Sequence, residues 1–358
     1  MNQAFELLLP YLQDEPRANN QPRHLLVADE NLFGATFATL GKTTEVMSNR
    51  FDIARAATAA GLIATFNDFD FSGYQPAHFA RVCYRISKEK AVVEHIIAEA
   101  FSLLPSGGEL ILCGAKKEGI KRFASVAGEC FSSVPDVHKH GFWYTARIIK
   151  TATNDHVAPR RDESNYTRLI PVETGPGTVL YTKPGSFGAG KIDQGSIMLA
   201  DYLPTFFQGF DAPPRSLLDL GCGYGYLTVC SARLGATRIV ATDNCAAAIN
   251  TCRANLDRLS IPAEVVADDC AEGITETFDA IICNPPFHQG FIADPGLTDK
   301  FLRSAANHLH AKSRALFVVN QFLALENTAL RYFANVAVVA KTRSFKLVVM
   351  SQRRKGTS

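Results

Sequence analysis

The chain has 358 residues, of which 47% are hydrophobic and 20% are charged. This length exceeds that of one typical domain, so we predict two globular domains. The formal net charge is only +2. A surface that binds nucleic acid must therefore be a local patch, because the chain as a whole is not basic.

The cysteines and the amino-terminal residues indicate the cellular compartment of the protein. Nine cysteines are spread singly between Cys83 and Cys283 without a C-x-x-C pair, which favours reduced thiols over a disulfide framework or a zinc site, and we expect no metal. Residues 1–16 lack the basic start and small-residue cleavage site of a signal peptide. No apolar run approaches the roughly 18–20 residues that a membrane span requires. We expect a monomeric cytoplasmic protein with no membrane partner.

Residues 1–150 alternate strand-like and helix-like patterns, which predicts β-α units around a parallel sheet. The expected strands are 25–28, 63–66, 80–86 and 109–113, and the expected helices are 53–62 and 91–104. Residues 151–165 are polar and charged and form the expected linker.

The second domain is expected at 166–358, beginning with a hairpin whose arms are 166–170 and 178–181. Further strands are expected at 216–220, 238–242, 263–267, 278–283, 314–319, 336–340 and 345–350, and helices at 195–207, 226–234, 246–259 and 298–310. The predicted fold class is α/β, Rossmann-like and doubly wound. Its seven-stranded sheet is mostly parallel and ends in a β-hairpin with one reversed strand.

A glycine-rich loop follows the strand at 216–220. Gly221, Gly223 and Gly225 stand at alternate positions before a helix, where glycine permits positive φ and helix N–H groups face a ligand. The third glycine comes one residue earlier than in the G-x-G-x-x-G motif, and Tyr226 is too large for that position. Asp219 precedes the loop and could pair with an amino group. These departures favour S-adenosylmethionine, with its ammonium and carboxylate, over a pyrophosphate ligand.

Further acids come at the ends of the next two strands. Asp243 stands 22 residues after Gly221, where a carboxylate can accept hydrogen bonds from both ribose hydroxyls. Asp268 and Asp269 close the third strand, where an acceptor would meet the adenine amine. One such acid alone is usually a helix cap or a solvated strand end. Acids at three successive strand ends predict a cofactor site.

The fourth strand ends in Asn284, Pro285, Pro286 and Phe287, which predicts methylation of an exocyclic amine on a base. The lone pair of such an amine is delocalised into the ring. The Asn284 side-chain carbonyl and the Pro285 backbone carbonyl could accept its two N–H groups and orient the lone pair, while the prolines hold the turn rigid. Phe287 would stack on a base taken out of its helix. His288 is a candidate contact to RNA, with a solvated loop histidine as the alternative.

These motifs resemble those of the bacterial ribosomal RNA guanine-N2 methyltransferases, the small-subunit methyltransferase C family and its relatives that modify the large subunit, the methyltransferase G type. The resemblance covers nearly the whole chain and includes the segments 184–187, 193–196, 320–323 and 343–346. It implies that residues 184–196 lie over the cofactor, with Phe187 among its contacts. Tyr224 and Tyr226 are bulkier than the residues often seen in the family's loop, and could narrow the methionine pocket.

The resemblance also implies two tandem methyltransferase-like domains, of which the second binds cofactor. In the first domain Asp29 ends a strand without a glycine loop, and residues 85–88 replace the Asn-Pro-Pro turn. That domain is expected to be catalytically silent and to position RNA. Its candidate phosphate contacts are Lys88, Lys90, Lys116, Lys117, Lys121 and Arg122, with a merely solvated basic face as the alternative.

The expected activity is transfer of methyl from S-adenosylmethionine to guanine N2 in ribosomal RNA, most simply 16S RNA. Methylation of 23S RNA, of adenine N6 or of a protein glutamine stays open. The last two enzyme classes commonly have tyrosine at the position of Phe287. A rival of another class is an assembly factor that binds RNA without catalysis, and a nicotinamide dehydrogenase is a more distant one.

Overall fold

The structure is a computed structural model. It describes residues 2–13, 23–151, 165–175, 177–286, 288–289, 292–293 and 295–354. The chain divides into two compact units, Met1–Arg168 and Leu169–Ser358. The expected linker lies almost entirely outside the described residues. Tyr166 is fully buried in the first unit, where its hydroxyl bonds Asp68 and its ring lies 4.7 Å from that of His95.

The first unit is an α/β unit with one seven-stranded sheet. Its helices are α1 (Gln3–Leu12), α2 (Phe51–Ala59), α3 (Lys90–Leu103) and α4 (Ile120–Phe131). Its strands are β1 (His24–Ala28), β2 (Thr44–Ser48), β3 (Ile63–Phe66), β4 (Arg81–Arg85), β5 (Glu109–Ala115), β6 (Asp136–His140) and β7 (Trp143–Ile149). The strand order is β3-β2-β1-β4-β5-β7-β6, with β7 antiparallel to both of its neighbours.

The second unit repeats this arrangement. Its helices are α5 (Gln194–Gln208), α6 (Tyr226–Arg233), α7 (Ala246–Arg258), α8 (Pro295–Asn307) and α9 (Leu325–Ala329). Its strands are β8 (Ile170–Gly175), β9 (Thr178–Thr182), β10 (Ser216–Leu220), β11 (Arg238–Asp243), β12 (Ala263–Ala267), β13 (Phe278–Cys283), β14 (His288–Gln289), β15 (Ile292–Ala293), β16 (Leu309–Asn320), β17 (Phe333–Lys341) and β18 (Phe345–Arg353). The main sheet has the order β12-β11-β10-β13-β16-β18-β17.

The predicted fold class is confirmed. Strands β10, β11, β12, β13 and β16 are parallel, and the reversed strand β18 forms the terminal hairpin with β17. Central strands such as β10 and β13 are apolar runs because α-helices cover both faces of a parallel sheet. Apolar clusters accordingly lie on both faces of this sheet.

Several boundary predictions in the second unit are wrong; the strands expected at 314–319 and 336–340, for example, span Leu309–Asn320 and Phe333–Lys341. The first arm of the early hairpin is β8, which begins at Ile170, and residues 166–169 are not strand. The helix predicted to reach residue 310 ends at Asn307. It stops there because the His308 backbone carbonyl accepts the Phe278 N–H and the ring of His308 bonds the Ser304 and Ile274 carbonyls, which turns the chain into β16.

The parallel strands of the second unit end at one edge of the sheet, which we call the carboxyl edge. Leu220, Asp243, Ala267, Cys283 and Asn320 are the last residues of those strands. In doubly wound sheets ligands bind outside this edge. The residues that follow β10, β11, β12 and β13 are thus brought together although they are distant in sequence. Among the described helices, none is long and apolar enough to cross a membrane.

Candidate active site at the carboxyl edge of the second sheet

The glycine loop after β10 is held by backbone hydrogen bonds to β11. The N–H groups of Gly221 and Cys222 both donate to the Thr242 carbonyl at 2.9 Å. Gly221, Gly223 and Gly225 all have positive φ, as the glycine spacing predicts. A Cβ on Gly225 would lie 2.8 Å from the Cys252 sulfur, whereas a Cβ on Gly223 would meet nothing within 4 Å. Gly225 therefore permits close packing, and Gly223 exposes its backbone to a ligand.

Asp243 ties this loop to the end of β11. Its Oδ2 accepts the Gly223 N–H at 3.0 Å and its Oδ1 accepts the Cys245 N–H at 2.8 Å. Each carboxylate oxygen has more than one lone pair, so both can still accept a ligand hydroxyl. Asp243 can thus fix the shape of the loop and hold a ribose at the same time.

Asp219 carries the clearest sign of a cationic ligand. It is fully buried, and its Oδ2 accepts the Thr228 hydroxyl at 2.6 Å. Its Oδ1 is buried without a hydrogen-bond partner among the described residues. Burial, reinforced by the charge of Asp243, raises the pKa of Asp219 to about 7. A positively charged amino group would supply the missing donor, so these residues fit the ammonium of S-adenosylmethionine.

The two acids after β12 differ in what they contact. Asp268 accepts the Asp269 N–H at 2.6 Å on one oxygen and the Gly273 N–H at 2.8 Å on the other, so it shapes the loop 268–273. Asp269 forms an ion pair with Lys300 on Oδ2, and its Oδ1 lies 3.4 Å from the Asn244 amide. Both oxygens of Asp268 thus bond its own loop, and a contact of Asp269 with the adenine amine stays a prediction. Sequence reasoning missed Asn244 and Lys300.

Asn284 is held in a defined orientation directly after β13. Its Nδ2 donates to Asp193 Oδ2 at 2.9 Å and to Ser196 Oγ at 2.8 Å. An ionised carboxylate only accepts, so the amide nitrogen must face Asp193. Because the amide is planar, its carbonyl Oδ1 points to the other side. Asn284 therefore presents a fixed acceptor, as a grip on an amine requires.

The residues that orient Asn284 belong to the start of α5. Asp193 is the N-cap of that helix, and its Oδ2 also accepts the Ser196 N–H at 3.0 Å. Gly195 lies between this carboxylate and the ring of Phe345, where a Cβ would be 2.9 Å from the first and 3.1 Å from the second. The sequence drew attention to residues 193–196, but as a segment over the cofactor rather than as the support of Asn284.

Residues 184–188 lie beside the loop after β11, where the Cys245 sulfur is 4.0 Å from the Gly185 carbonyl. Phe187 is 64% exposed, and its contact with cofactor stays a prediction. The bulk of Tyr224 is taken up by an apolar cluster with Leu180 and Val229, where the Tyr224 side chain is 5% exposed. Tyr226 packs at the margin of the same cluster.

Pro285 is buried and Pro286 is exposed. Phe287 and the side chain of His288 lie outside the described residues, so their roles stay predictions. Among the described residues, no group of histidines, cysteines and acids is arranged to hold a metal ion.

The carboxyl edge of the first sheet is built differently. Asp29 is buried like Asp219, but both of its oxygens have partners. One accepts from the Asn31 backbone and amide at 2.9 and 2.8 Å, and the other accepts the Tyr84 hydroxyl at 2.9 Å. Burial raises the pKa of Asp29 to about 7. The short helix Glu30–Leu32 stands where a glycine loop would be, and both carboxylate oxygens of Asp29 already accept hydrogen bonds from the protein.

The last residue of β4, Arg85, forms a buried ion pair, and Ile86 is the residue that directly follows the strand. Arg85 and Glu118 lie 2.8 Å apart, both almost fully buried, and the Arg85 guanidinium lies 4.8 Å from the Trp143 ring centroid. Lys88, Lys116, Lys117, Lys121 and Arg122 are all exposed. Lys121 lies over Tyr144, and Arg122 is 3.5 Å from Glu94.

Known families match both halves of the chain. Residues 177–349 match the family described as Methyltransferase small domain, and residues 18–158 match Methyltransferase small domain N-terminal. A solved T. thermophilus 16S rRNA N2 methyltransferase, in complex with AdoMet and guanosine, superimposes with a TM-score of 0.78 at 22% identity. That match covers 99% of this chain and 100% of the other. Fold and site together define a methyltransferase that uses S-adenosylmethionine.

Curated relatives narrow the assignment. Ribosomal RNA small subunit methyltransferase C from Pseudomonas aeruginosa is 30% identical over 299 residues, which cover 82% of this chain and 86% of the relative. The protein of the same name from Pseudomonas paraeruginosa is 29% identical over 334 residues, with 90% and 96% covered. The chain belongs to the ribosomal RNA small subunit methyltransferase C family.

The raised pKa of Asp219 gives a test of the cofactor site by pH. Without ligand the carboxyl is mostly protonated below about pH 7. A bound ammonium favours the ionised form and lowers that pKa, so binding should release a proton below pH 7 and affinity should rise as the pH increases through this range. Calorimetry of S-adenosylmethionine binding in buffers of different ionisation enthalpy measures the proton release.

Asp219→Asn should abolish this proton release and flatten the pH dependence of affinity. Asp29→Asn is the matched control, because Asp29 is also buried with a pKa raised to about 7 but has no ligand to meet. It should leave the proton release unchanged. Undiminished release in Asp219→Asn would show that another group meets the ammonium.

Proposed function

We propose that this chain transfers the methyl group of S-adenosylmethionine to the N2 amine of a guanine in 16S ribosomal RNA. The observation that carries the proposal is the orientation of Asn284, whose carbonyl is fixed by Asp193 and Ser196 as an acceptor at the carboxyl edge of the second sheet. The names of the curated relatives and of the solved structure with guanosine support a guanine of the 16S RNA as substrate.

The chain's part in the reaction is to hold the amine in one orientation. The two N–H groups of guanine N2 would donate to Asn284 Oδ1 and to the Pro285 carbonyl, which turns the nitrogen lone pair toward the methyl donor. The cofactor would supply a methyl group activated by its sulfonium and would leave as S-adenosylhomocysteine, and the methylated amine would release one proton to solvent, because neither carbonyl acceptor is a base. Because Asn284 is ordered before substrate arrives, little reorganisation is needed at the moment of reaction. Phe287 would stack on the flipped guanine.

The cofactor would be held by the carboxyl edge of the second sheet. Asp219 would accept from the ammonium, the glycine loop would approach the cofactor closely, Asp243 would accept from the ribose and Asp269 from the adenine amine. Asp268 would act indirectly, through the loop that it shapes. A ribosomal RNA substrate favours a cytoplasmic protein, and we propose that it acts as a monomer.

The first unit would be catalytically silent and would bind RNA. Its carboxyl edge has a buried ion pair in place of the amine grip, and exposed lysines surround that edge. Lys116 and Lys117 follow β5, whose last residue Ala115 pairs with Trp143 at the start of β7. Phe142, 90% exposed, stands at the tip of the adjoining hairpin. Cations beside an exposed ring are suited to single-stranded RNA.

Replacing Lys116 and Lys117 together with alanine should weaken RNA binding without changing cofactor affinity. Each lost phosphate contact reduces the slope of log K against log salt by about 0.7–0.9, so the double variant should reduce it by about 1.5. Titrations of labelled RNA at several salt concentrations measure the slope. The control is Lys312→Ala, because Lys312 is an exposed lysine near the start of β16, at the end of the second sheet away from its carboxyl edge. An unchanged slope in the double variant would show that the two lysines belong to a solvated surface that does not contact RNA.

The alternative activities are less well supported. Adenine-N6 and glutamine methylation suit the same grip, but the curated relatives are named for ribosomal RNA of the small subunit. An inactive assembly factor would not need the buried acceptor of Asp219 or the fixed acceptor of Asn284. Mass mapping of 16S RNA from cells that lack this protein tests the proposal. One N2-methylguanosine should be missing, and an unchanged map of 16S RNA would overturn it.

A further inference from the structure

Phe322 is an exposed aromatic residue at the carboxyl edge that the proposed mechanism does not use. It follows β16, and its side chain is 84% exposed. Exposure of a large ring costs hydrophobic free energy unless a partner covers it in the working complex. The surroundings of this ring therefore bear on what it binds.

The register of the sheet places Phe322 near Asn284. Cys283 of β13 is paired with Phe317 of β16, so Asn284 is level with Val318. Asn320 is two residues further on, about 7 Å at the rise of a strand. It is paired with Phe345, whose ring packs on Gly195 beside the Asp193 carboxylate. The turn that carries Phe322 thus borders the group that orients the amine grip.

Hydrogen bonds hold this turn in place. Asn320 Oδ1 accepts the Phe322 N–H at 3.0 Å and the Asn320 carbonyl accepts the Leu323 N–H at 3.0 Å. Gln321 is tied to the β17–β18 turn, through its N–H to the Ser344 carbonyl at 2.9 Å and through its side-chain amide to the Arg343 carbonyl. The exposed ring is therefore presented on a fixed backbone.

The same contacts place the backbone of Arg343 beside Gln321, the residue that precedes Phe322. Arg343 is exposed, and its guanidinium has no hydrogen-bond or ion-pair partner among the described residues. The nearby acid Glu326 is paired with Lys346, which is 5% exposed. The surface formed by Phe322 and Arg343, the 322–343 ledge, thus offers a ring for stacking and a planar cation for phosphate.

We infer that the 322–343 ledge binds a nucleotide adjacent to the target guanine. Phe322 stacks on its base and Arg343 contacts its phosphate. Single-stranded RNA is the occupant because exposed bases stack on aromatic side chains while an arginine neutralises the backbone. The inference rests on the proposed function in that the neighbouring Asn284 must hold a base. It adds a specific contact for the flanking RNA.

Steady-state kinetics of the full chain on 16S RNA or a fragment that contains the methylated site test the ledge. Phe322→Ala should raise KM for RNA by about 5- to 150-fold, the effect of losing one base–aromatic stack. The affinity for S-adenosylmethionine and kcat at saturating RNA should stay the same. Phe322→Tyr should restore KM, because it keeps a ring. Leu330→Ala, another exposed apolar residue of this unit, is the matched control.

Arg343→Gln should raise KM and reduce the salt slope of RNA binding by about 0.7–0.9. In two further RNA substrates, the nucleotide on one side or the other of the target guanine is made abasic. One of these two substrates should give wild type and Phe322→Ala the same KM. An unchanged KM in Phe322→Ala, or a difference that persists with both abasic substrates, would overturn the ledge. If the wild-type chain methylated a different amine, the proposed function would fail, but the ledge could still be tested by measuring the same variants on that substrate. Failure of the ledge and failure of the proposed function are therefore distinguishable.

Discussion

Asn284→Ala should reduce kcat by about 10²- to 10³-fold, the effect of removing one preorganised hydrogen-bonding group from an active site. The affinity for S-adenosylmethionine should stay nearly unchanged, since the residues proposed to hold the cofactor lie on other strands. The substitution removes the fixed carbonyl acceptor, so the amine lone pair is no longer oriented toward the methyl donor. Single-turnover methylation at saturating RNA, together with calorimetry of cofactor binding, measures the two quantities separately.

The control for Asn284→Ala is Asn335→Ala, which alters an exposed asparagine on β17 whose side-chain amide donates to the Ser351 hydroxyl at 3.5 Å. It should retain full activity. Asn284→Ala also removes two hydrogen bonds to α5, at a cost of about 1 kcal/mol each in the free energy of unfolding, so thermal unfolding should accompany the assay. Full turnover in a folded Asn284→Ala protein would refute the assignment of the amine grip.

Asp243→Ala should lower the affinity for S-adenosylmethionine by about 100-fold. Hydrogen bonds to a charged group contribute about 1.5–3 kcal/mol each, and this substitution removes the acceptor of the ribose and the anchor of the Gly223 N–H. The loss should affect binding first, so turnover should partly recover at high cofactor concentration. Equilibrium binding of S-adenosylmethionine and of S-adenosylhomocysteine measures the effect.

Asp257→Ala is the matched control for Asp243→Ala, because Asp257 is an exposed acid on the helix α7 that follows β11. Its cofactor affinity should equal that of wild type. An equal loss in both variants would point to a general effect on this part of the fold. An unchanged affinity in Asp243→Ala would remove Asp243 from the cofactor site.

The sequence predicted many of the elements whose pattern is local, although α1, α4 and β7 were not predicted. Strands such as β10 and β13 are short apolar runs bounded by turn residues, and these were found almost to the residue. The sequence analysis missed β2, because three of the five buried residues of this strand are polar, namely Thr44, Glu45 and Ser48, and give no apolar run. Glu45 is buried against Arg23, from another segment, so its burial depends on a tertiary ion pair. Every residue of the edge strand β6 is exposed, and Val137 is its one apolar residue, so the strand has no apolar pattern.

The candidate site could be predicted where its residues form contiguous motifs. The structure places the acids at the ends of β10, β11 and β12 at one edge with the Asn284 turn, as the order of strands indicates. It also shows what sequence spacing could not. Asp193 and Asn284 are 91 residues apart, and their hydrogen bond depends on how α5 packs near the end of β13. The different partners of Asp268 and Asp269 likewise depend on loop geometry that adjacent identical residues do not reveal.

The most direct measurement is nucleoside mass spectrometry of 16S RNA, as naked RNA and as small subunit, after incubation with the purified chain and S-adenosylmethionine that carries a deuterated methyl group. The label should appear at the N2 position of one guanosine, and it should be absent when Asn284→Ala replaces the wild-type chain. Label on adenosine N6 or on a ribosomal protein, or no transfer to either form of 16S RNA, would contradict the claim that this site orients the guanine amine.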